Sequence, residues 1–256
     1  MPAIPPKRIG KFRDQIHRQR IHPRIWDFSY LVLRNNRSVF DQFQAAVIGS
    51  PASASGRIRI LDVGCGFKPW RELFHEEGCV YVGIDCDRER SSADAIATDD
   101  RLPFAAGSFD ALVYSEVLEH TGRLKDALGE MRRVAKSGAP VFISSPFVFP
   151  EHGVPHDYQR LTRYYYRDAF ARDEFLALRE SNSTLSTAIV AFNLFIESSP
   201  LTVFHGAKHL VYALNNAVAL AADAAIKALV AVFGERYRTG FYSMPLSYAL
   251  VVRIRK

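Results

Sequence analysis

The segment Ile60-Leu61-Asp62-Val63-Gly64-Cys65-Gly66 decides how this chain folds. The apolar and β-branched residues before Gly64 are typical of a buried parallel strand, and the two glycines predict a tight turn directly after it. Glycine at positions 64 and 66 permits backbone torsions that other residues resist, and it removes side chains where a ligand would approach. The segment therefore predicts a strand that ends at a ligand-binding turn.

Strand and helix patterns alternate on both sides of this turn. The predicted strands cover 58–63, 80–84, 94–98, 110–115 and 140–144, with a weak strand near 176–180 and a last one over 247–254. The predicted helices cover 69–77, 123–136, 185–197 and 201–233, besides helix within the first 50 residues. This alternation predicts an α/β fold, namely a Rossmann-like, mostly parallel seven-stranded sheet with helices on both faces.

We divide the chain into four segments by composition and pattern. Residues 1–56 form an N-terminal arm and helical cover that ends in a small-residue linker, and residues 57–183 form the Rossmann-like core. Residues 184–240 form a helical insertion or lid, and residues 241–256 supply the final strand of the core sheet.

Charge and cysteine content bear on the binding partners and the cellular compartment of the protein. The net charge is +6 and much of it lies near the N-terminus, at Lys7, Arg8, Lys11, Arg13, Arg18, Arg20 and Arg24. Such a cluster suits the phosphates of a nucleic acid, a lipid headgroup or a nucleotide-activated substrate, and its alternative is a solvated basic surface. We recognise no RNA-binding module, so nucleic acid is not favoured as a partner. Three cysteines without paired spacing, and no signal peptide, predict a reduced, cytoplasmic protein.

Carboxylates follow the ends of the first three predicted strands. Asp62 lies beside the glycine turn, where it suits a cationic cofactor better than a phosphate, and Pro69 replaces the third glycine of the dinucleotide fingerprint. Asp85 ends the second strand, where an acidic side chain can bind ribose hydroxyls. Asp99 and Asp100 follow the third strand, where the carboxylate of either can accept a hydrogen bond from the exocyclic amine of adenine. Spacing does not distinguish the two, and we take Asp99 as the first choice.

The order of several motifs resembles the class I S-adenosylmethionine-dependent methyltransferases, within their bacterial small-molecule subgroup. The motifs are Ile-Leu-Asp-Val-Gly-Cys-Gly, Val-Gly-Ile-Asp, Leu-Pro-Phe with Ser-Phe-Asp, Ser115-Glu-Val-Leu-Glu-His120 and Glu130-Met-Arg-Arg-Val-Ala-Lys-Ser-Gly138. The resemblance covers about 58–145 and implies S-adenosyl-L-methionine as cofactor. It places the methionine end at Asp62, Gly64 and Gly66, the ribose at Asp85 and the adenine at Asp99. We also assign Asp100 and Ser115 to the predicted cofactor site.

One departure from the family lies directly after the glycine turn, and one shorter resemblance lies further along the chain. Phe67-Lys68-Pro69 stands where many members carry threonine-glycine, so we expect a reshaped outer lip of the pocket. Residues 146–162 resemble a subgroup that is often associated with the modification of glycans and lipid-linked sugars.

Three histidines are candidate general bases for a hydroxyl acceptor: His120 after strand four, and His152 and His156 on the loop after strand five. The alternative for each is a loop histidine bonded to backbone. His152, His156 and Asp157 could also clamp a divalent ion, but Pro155 disfavours a continuous helix through them. We therefore predict no metal.

The function predicted from these observations is methyl transfer to oxygen on a small molecule, a sugar or a lipid-linked glycan. The alternatives are carbon methylation of a quinone-type ring and a cofactor-binding accessory subunit without catalysis. The apolar segment 201–233 is interrupted by polar residues, so we predict no uninterrupted membrane span. We expect either a packed lid or homodimer helix, or a surface that touches the bilayer and makes the protein membrane-associated.

Overall fold

A seven-stranded sheet forms the centre of the computed structural model, which describes residues 6–50, 57–74, 78–197, 199–200 and 205–256. The strand order is β3-β2-β1-β4-β5-β7-β6, and only β7 runs antiparallel to its neighbours. The strands are β1 Ile58–Val63, β2 Cys79–Asp85, β3 Ala95–Ile96, β4 Ala111–Ser115, β5 Pro140–Pro146, β6 Glu174–Glu180 and β7 Ser247–Arg253. The predicted Rossmann-like, mostly parallel sheet is confirmed.

Seven α-helices lie within the described residues, together with three short 3₁₀ helices. The α-helices are α1 Pro6–Ile21, α2 Tyr30–Ile48, α3 Leu124–Val134, α4 Arg163–Ala169, α5 Thr184–Glu197, α6 His205–Phe233 and α7 Arg238–Phe241. The 3₁₀ helices are Arg71–Phe74, Leu118–His120 and Glu235–Tyr237.

Alternating side chains of the strands build an apolar core on each face of the sheet. In β1, Ile58 and Ile60 face one core, whereas Leu61 and Val63 face the other. The first core is rich in aromatic residues of α2 and of the 3₁₀ turn, where the Phe40 ring stacks 4.1 Å from Trp70. The second core packs α3 and α4 against the sheet. Helices on both faces therefore cover the sheet, as predicted.

Polar groups on one face of α6 fasten this helix to the segment between α1 and α2 and to the start of α5. Asn216 donates hydrogen bonds to the carbonyl oxygens of Ile25 and Asp27, at 2.7 and 3.0 Å. Asp223 accepts from the Ser183 amide at 2.9 Å and from the Ser186 hydroxyl at 2.6 Å. The polar residues that interrupt the apolar segment therefore include an inward-facing set, which fixes α6 on the body of the protein.

Two predicted elements differ in the structure. The helix predicted over 69–77 is a single 3₁₀ turn, Arg71–Phe74, in which the Leu73 amide bonds to the Trp70 carbonyl oxygen, and residues 75–77 lie outside the described part. The tighter turn directs Trp70 and Phe74 into the aromatic core around Phe40. The third strand is also shorter than predicted, because β3 pairs with β2 only at Ala95 and Ile96.

Candidate functional site

A cleft opens at the carboxyl edge of the sheet between β1 and β4, where the strand order reverses. In open α/β sheets this switch point is where ligands bind. The cleft is lined by Ile16, Arg20, Asp62, Gly64, Cys65, Gly66, Phe67, Pro69, Trp70, Arg90, Ser115 and Glu116. The glycine turn and the ends of β1 and β4 thus meet the N-terminal helix α1 in one place.

The two glycines of the turn serve different purposes. Both have positive φ angles, +63° at Gly64 and +49° at Gly66. A Cβ atom at Gly64 would lie 2.6 Å from Val117 Cγ2, whereas one at Gly66 would have no neighbour within 4 Å. Gly64 therefore permits close packing against the segment after β4, and Gly66 leaves open space in the cleft.

Asp62 is buried at the floor of the cleft. Its carboxylate accepts a hydrogen bond of 2.7 Å from the Tyr81 hydroxyl. Burial raises the pKa of Asp62 to about 7, against the opposing effects of that hydrogen bond and of the Arg20 charge. A cationic ligand that reached this carboxylate would favour its ionised form.

Asp85 is held in place by backbone amides on either side of it. Its Oδ2 accepts from the Gly66 amide and its Oδ1 from the Asp87 amide, both at 2.9 Å. Each carboxylate oxygen can accept a further hydrogen bond. Asp85 therefore joins the end of β2 to the glycine turn and retains acceptors for a ligand with hydroxyl groups.

Asp99 and Asp100 lie beyond β3 and have different partners. Asp99 accepts a short hydrogen bond from the Thr121 hydroxyl, and burial raises the pKa of its carboxyl group. Asp100 lies 3.8 Å from the exposed Arg123 guanidinium. Asp99 is thus tied to the turn after β4, and neither aspartate is among the described residues that line the cleft.

Ser115 ends β4, and its side chain is hydrogen-bonded to Arg20 of α1. Its hydroxyl accepts a hydrogen bond of 2.9 Å from Arg20 and lies 3.3 Å from the Ser144 hydroxyl. α1 also contacts the glycine turn, since His17 Nε2 lies 2.7 Å from the Phe67 carbonyl oxygen. The N-terminal helix therefore covers the cleft and places a guanidinium in it.

Arg20 and Glu116 line the cleft and were not among the predicted site residues. Arg20 is separated from Ser115 by 95 positions. The basic cluster near the N-terminus was the sequence signal that included it. Glu116 is a non-glycine residue with a φ of +58°, and its carboxylate accepts a hydrogen bond of 3.2 Å from Asn36 of α2. Such backbone strain clusters at functional sites.

The departure from the family pattern at Phe67-Lys68-Pro69 has a structural explanation. The Lys68 side chain is buried and its Nζ lies 2.7 Å from Asp94 Oδ1. Asp94 Oδ2 accepts a hydrogen bond of 2.8 Å from the Gly83 amide of β2. The lysine therefore fastens the glycine turn to the segment after β2.

Two of the three predicted histidines come together, and the third side chain stays outside. The rings of His120 and His152 are 4.8 Å apart, whereas the exposed His156 ring bonds through Nδ1 to the Tyr158 hydroxyl at 2.8 Å. Between the first two rings lies Glu119, a carboxylate that was not predicted, at 3.8 Å from His120 Nε2 and 3.7 Å from His152 Nε2. Burial raises the pKa of Glu119, and Glu119 raises the pKa of His152.

The loop that carries His152 is fastened to the 3₁₀ helix that carries His120. The Tyr158 amide bonds to the Glu119 carbonyl oxygen at 2.8 Å, and Gln159 Nε2 bonds to the Leu118 carbonyl oxygen at 2.6 Å. The Asp157 carboxylate accepts from the His152 amide at 2.9 Å. The two segments therefore form one unit. Its first segment begins close to the cleft, because Glu119 follows the cleft residue Glu116 by three positions.

Residues 61–143 match the family model of the methyltransferase domain. That range covers the glycine turn, β2 to β4, α3 and most of β5.

Relatives of known sequence match less than half of the chain. A demethylmenaquinone methyltransferase from Renibacterium salmoninarum is 32% identical over 121 residues, 44% of this chain and 50% of that protein. An uncharacterised methyltransferase from Mycobacterium sp. (strain KMS) is 33% identical over 132 residues, 46% of this chain and 51% of that protein. The matched part of the chain therefore spans about half the length of these relatives.

Solved structures share the fold at low sequence identity. The [4+2]-cyclase SpnF superposes with a TM-score of 0.50 at 16% identity, covering 86% of this chain and 83% of that one. A Galdieria sulphuraria protein described as a sarcosine dimethylglycine methyltransferase gives 0.50 at 13% identity, covering 87% and 88%. Because one neighbour is a cyclase, the fold alone does not fix the reaction, which depends on the residues of the site.

Proposed function

Because the chain contains a class I S-adenosylmethionine-dependent methyltransferase domain, we propose that it transfers a methyl group to an oxygen atom of a small-molecule acceptor. The observation that carries the choice of oxygen is the pair His120 and His152 around the buried Glu119. A hydroxyl acceptor must lose its proton during transfer, and imidazoles beside the cleft are suited to accept it.

The residues of the cleft fit S-adenosylmethionine. The open space above Gly66 leaves room for a ligand, and Asp85 retains acceptors for the ribose hydroxyls. We place the ammonium of the methionine moiety near Asp62, its carboxylate near Arg20 and the adenine amine near Asp99. When bound, the cofactor supplies a methyl group on a positively charged sulfur, and no covalent intermediate with the protein is required.

The residues of this chain then have three tasks. The glycine turn and Asp85 orient the cofactor, α1 excludes water from the cleft, and His120 or His152 removes the acceptor proton through Nε2. Holding donor and acceptor in line is the larger part of catalysis in such a displacement. His156 has no part in this proposal, because its imidazole lies outside the pair.

We further propose that the acceptor is presented at a membrane surface, as a lipid-linked glycan would be. On α6 the buried positions Tyr212, Asn216, Ala219 and Asp223 occupy one side. The opposite side exposes an apolar stripe at helical spacing, formed by Leu210, Leu214, Val218, Ala221, Ala225, Leu229 and Val232. A surface of this kind suits peripheral contact with a bilayer.

The length of α6 raises the alternative of a membrane span. Gly206–Phe233 is long and apolar enough to cross a bilayer by length and composition, a test that core helices also pass. Asn216 and Asp223 are bonded to the protein body, which favours a helix that lies on the membrane over one that crosses it.

Charge and aromatic groups at the amino end of the stripe support the same proposal. Leu210 shares a groove with Arg18, Arg24 and Trp26. Arg18 is paired with the buried Asp27 at 2.8 Å, whereas the Arg24 guanidinium lies 5.5 Å from the centre of the Trp26 ring. Basic and aromatic side chains beside an apolar stripe suit an interface that carries phosphate headgroups. This groove also borders α1, the helix that covers the cofactor cleft.

Carbon methylation of a quinone-type ring is the second candidate. It is favoured by the relative described as a demethylmenaquinone methyltransferase and by the apolar stripe, which would suit an isoprenoid-bearing acceptor equally well. It does not call for the paired histidines.

Transfer of labelled methyl from S-adenosylmethionine into a fractionated bacterial extract tests the proposal. We expect label in the lipid fraction as an oxygen-methyl group, with turnover lowered in His120→Ala or His152→Ala and unchanged in the control His156→Ala. Cofactor affinity should stay at the wild-type value in all three variants. A ring-methylated quinone as product would replace the first candidate by the second, and no labelled product in any fraction would contradict both.

A further inference from the structure

The Glu119 carboxylate is buried without a hydrogen-bond donor. Its side chain is 0% exposed, and within the described part of the chain no donor lies within hydrogen-bond distance of either oxygen. The two imidazole nitrogens at 3.7 and 3.8 Å are too distant for a hydrogen bond. A buried carboxylate is stable when it is paired, hydrogen-bonded or bound to a metal. A cation bound between Glu119 and the two imidazole nitrogens would supply that pairing.

The hydrogen bonds of the histidines leave their Nε2 atoms available as ligands. His120 Nδ1 lies 2.5 Å from the His156 carbonyl oxygen, and a carbonyl can only accept, so Nδ1 carries the proton. His152 Nδ1 lies 3.3 Å from the Pro150 carbonyl oxygen and 3.4 Å from Asp157 Oδ2. With each ring in its neutral form and protonated at Nδ1, the Nε2 lone pair is available to a metal ion, and this outer hydrogen bonding is typical of metal-ligating histidines.

The backbone is shaped for the close approach of these groups. Gly153 has a φ of +65°, and a Cβ there would lie 2.7 Å from His120 Cε1. One ligand atom each from Glu119, His120 and His152 lies within 4.8 Å of the others. Ligand atoms at about 2.0–2.2 Å from one ion lie roughly 3–3.6 Å from one another. Small rotations of the two partly exposed imidazole rings would bring the three ligand atoms to that separation.

We propose that Glu119, His120 and His152 bind one divalent transition-metal ion of the Zn²⁺ type. Two imidazoles and one carboxylate are a known donor set for zinc sites that keep an open position. The side chains of His120 and His152 are 29% and 33% exposed, so the open side faces solvent. No metal was predicted from the sequence. The proposed site also uses a different ligand set from the His152, His156 and Asp157 set that was weighed from the sequence.

The chemical role of this ion rests on the proposed oxygen methylation. With the ion bound, the Nε2 atoms of His120 and His152 are ligands, so water replaces the imidazole as the group that takes the acceptor proton. An acceptor hydroxyl at the open position would lose that proton more readily, because a divalent cation stabilises the oxyanion. The oxygen lone pair then forms the bond to the methyl carbon, and the electron pair of the breaking carbon–sulfur bond returns to sulfur. The products are the methyl ether, S-adenosylhomocysteine and one proton.

Calorimetric titration of the chelator-treated full chain with Zn²⁺, without S-adenosylmethionine, tests the site. We expect one ion per chain, and at least tenfold weaker binding in Glu119→Gln, His120→Asn and His152→Asn. The control His156→Ala should bind as the wild type does, because only its carbonyl oxygen contacts the cluster. No uptake of Zn²⁺ by the wild type, or equal uptake in the three ligand variants, would overturn the proposal.

Thermal unfolding separates a metal role from a structural one. Zn²⁺ should raise the Tm of the wild type and of His156→Ala but not of Glu119→Gln, because only a folded state that binds the ion is stabilised by it. Metal binding without any methyl transfer would contradict the proposed function and leave the site standing. Methyl transfer that survives chelation, with no metal taken up, would contradict the site and leave the function standing.

Discussion

The Arg20 guanidinium donates a hydrogen bond of 2.9 Å to the Ser115 hydroxyl, which joins the N-terminal helix to the carboxyl end of β4. This contact closes the cleft from a part of the chain outside the 61–143 methyltransferase match. It places a fixed positive charge beside Asp62 and Glu116, where the methionine moiety of the cofactor would lie. We therefore expect the N-terminal helix α1 to form part of the S-adenosylmethionine-binding site.

Replacing Arg20 by alanine should weaken the binding of S-adenosylmethionine. A hydrogen bond to a charged group contributes about 1.5–3 kcal/mol, which corresponds to a loss of affinity of roughly 10- to 100-fold. Calorimetric titration measures the change, and Arg13→Ala on the same helix is the control, because Arg13 pairs with the exposed Asp14. Equal affinity in the wild type and Arg20→Ala would show that α1 covers the cleft without binding the cofactor.

Replacing Asp85 by alanine should have a larger effect. The change removes the proposed acceptor of the ribose hydroxyls and also the partner of the Gly66 amide in the turn. We expect affinity for S-adenosylmethionine to fall by about 100-fold or more. Asp87→Ala is the matched control, because Asp87 accepts from the amides of Glu89 and Arg90 in the same loop. Unchanged affinity in Asp85→Ala would refute the cofactor assignment.

The affinity for S-adenosylmethionine should depend on pH through Asp62. With a pKa of about 7, Asp62 is protonated below pH 7 in the free protein, whereas the ammonium of the cofactor favours the ionised carboxylate. Binding below that pH must therefore release a proton. Affinity should rise by up to about tenfold per pH unit from pH 5 to 7 and stay level above 7. In Asp62→Asn this slope should disappear, and a wild-type affinity that is flat across the range would exclude the proposed contact.

Charged substitutions in the apolar stripe should release the protein from membranes. Flotation with liposomes that contain anionic lipid should recover the wild type, and Leu214→Glu with Val218→Glu should lower the recovered fraction at least severalfold. Ile48→Glu is the control, because Ile48 is an exposed apolar residue at the end of α2, away from α6. If the wild type stays unbound and chromatography with light scattering shows dimers that the stripe variants lose, the stripe is a subunit interface.

The sheet and the position of the glycine turn at its carboxyl edge could be predicted because they depend on local patterns. Apolar β-branched runs such as that of β1 read as buried strands, and the glycine turn fixes where the strand ends. The carboxyl ends of parallel strands meet at one edge, so Asp62 and Asp85 could be placed together from sequence alone. The helix predicted over 69–77 was wrong because packing of Trp70 and Phe74 against Phe40 selects a single tight turn.

The parts that were missed depend on contacts between distant segments. Arg20 reaches Ser115 only because α1 folds over the cleft, and no periodicity encodes that docking. Glu119 carries the same charge as many surface residues, and its burial follows from the loop that closes over it through Tyr158 and Gln159. The three histidines were recognised by position, but which two would meet depended on the path of that loop.

A crystal structure of the protein with S-adenosylhomocysteine bound would test the central claim most directly. We predict ribose hydroxyls within hydrogen-bond distance of Asp85, the amino-acid carboxylate at Arg20, and the sulfur atom facing the Glu119–His120–His152 cluster. A ligand bound elsewhere, or one whose sulfur points away from that cluster, would contradict it.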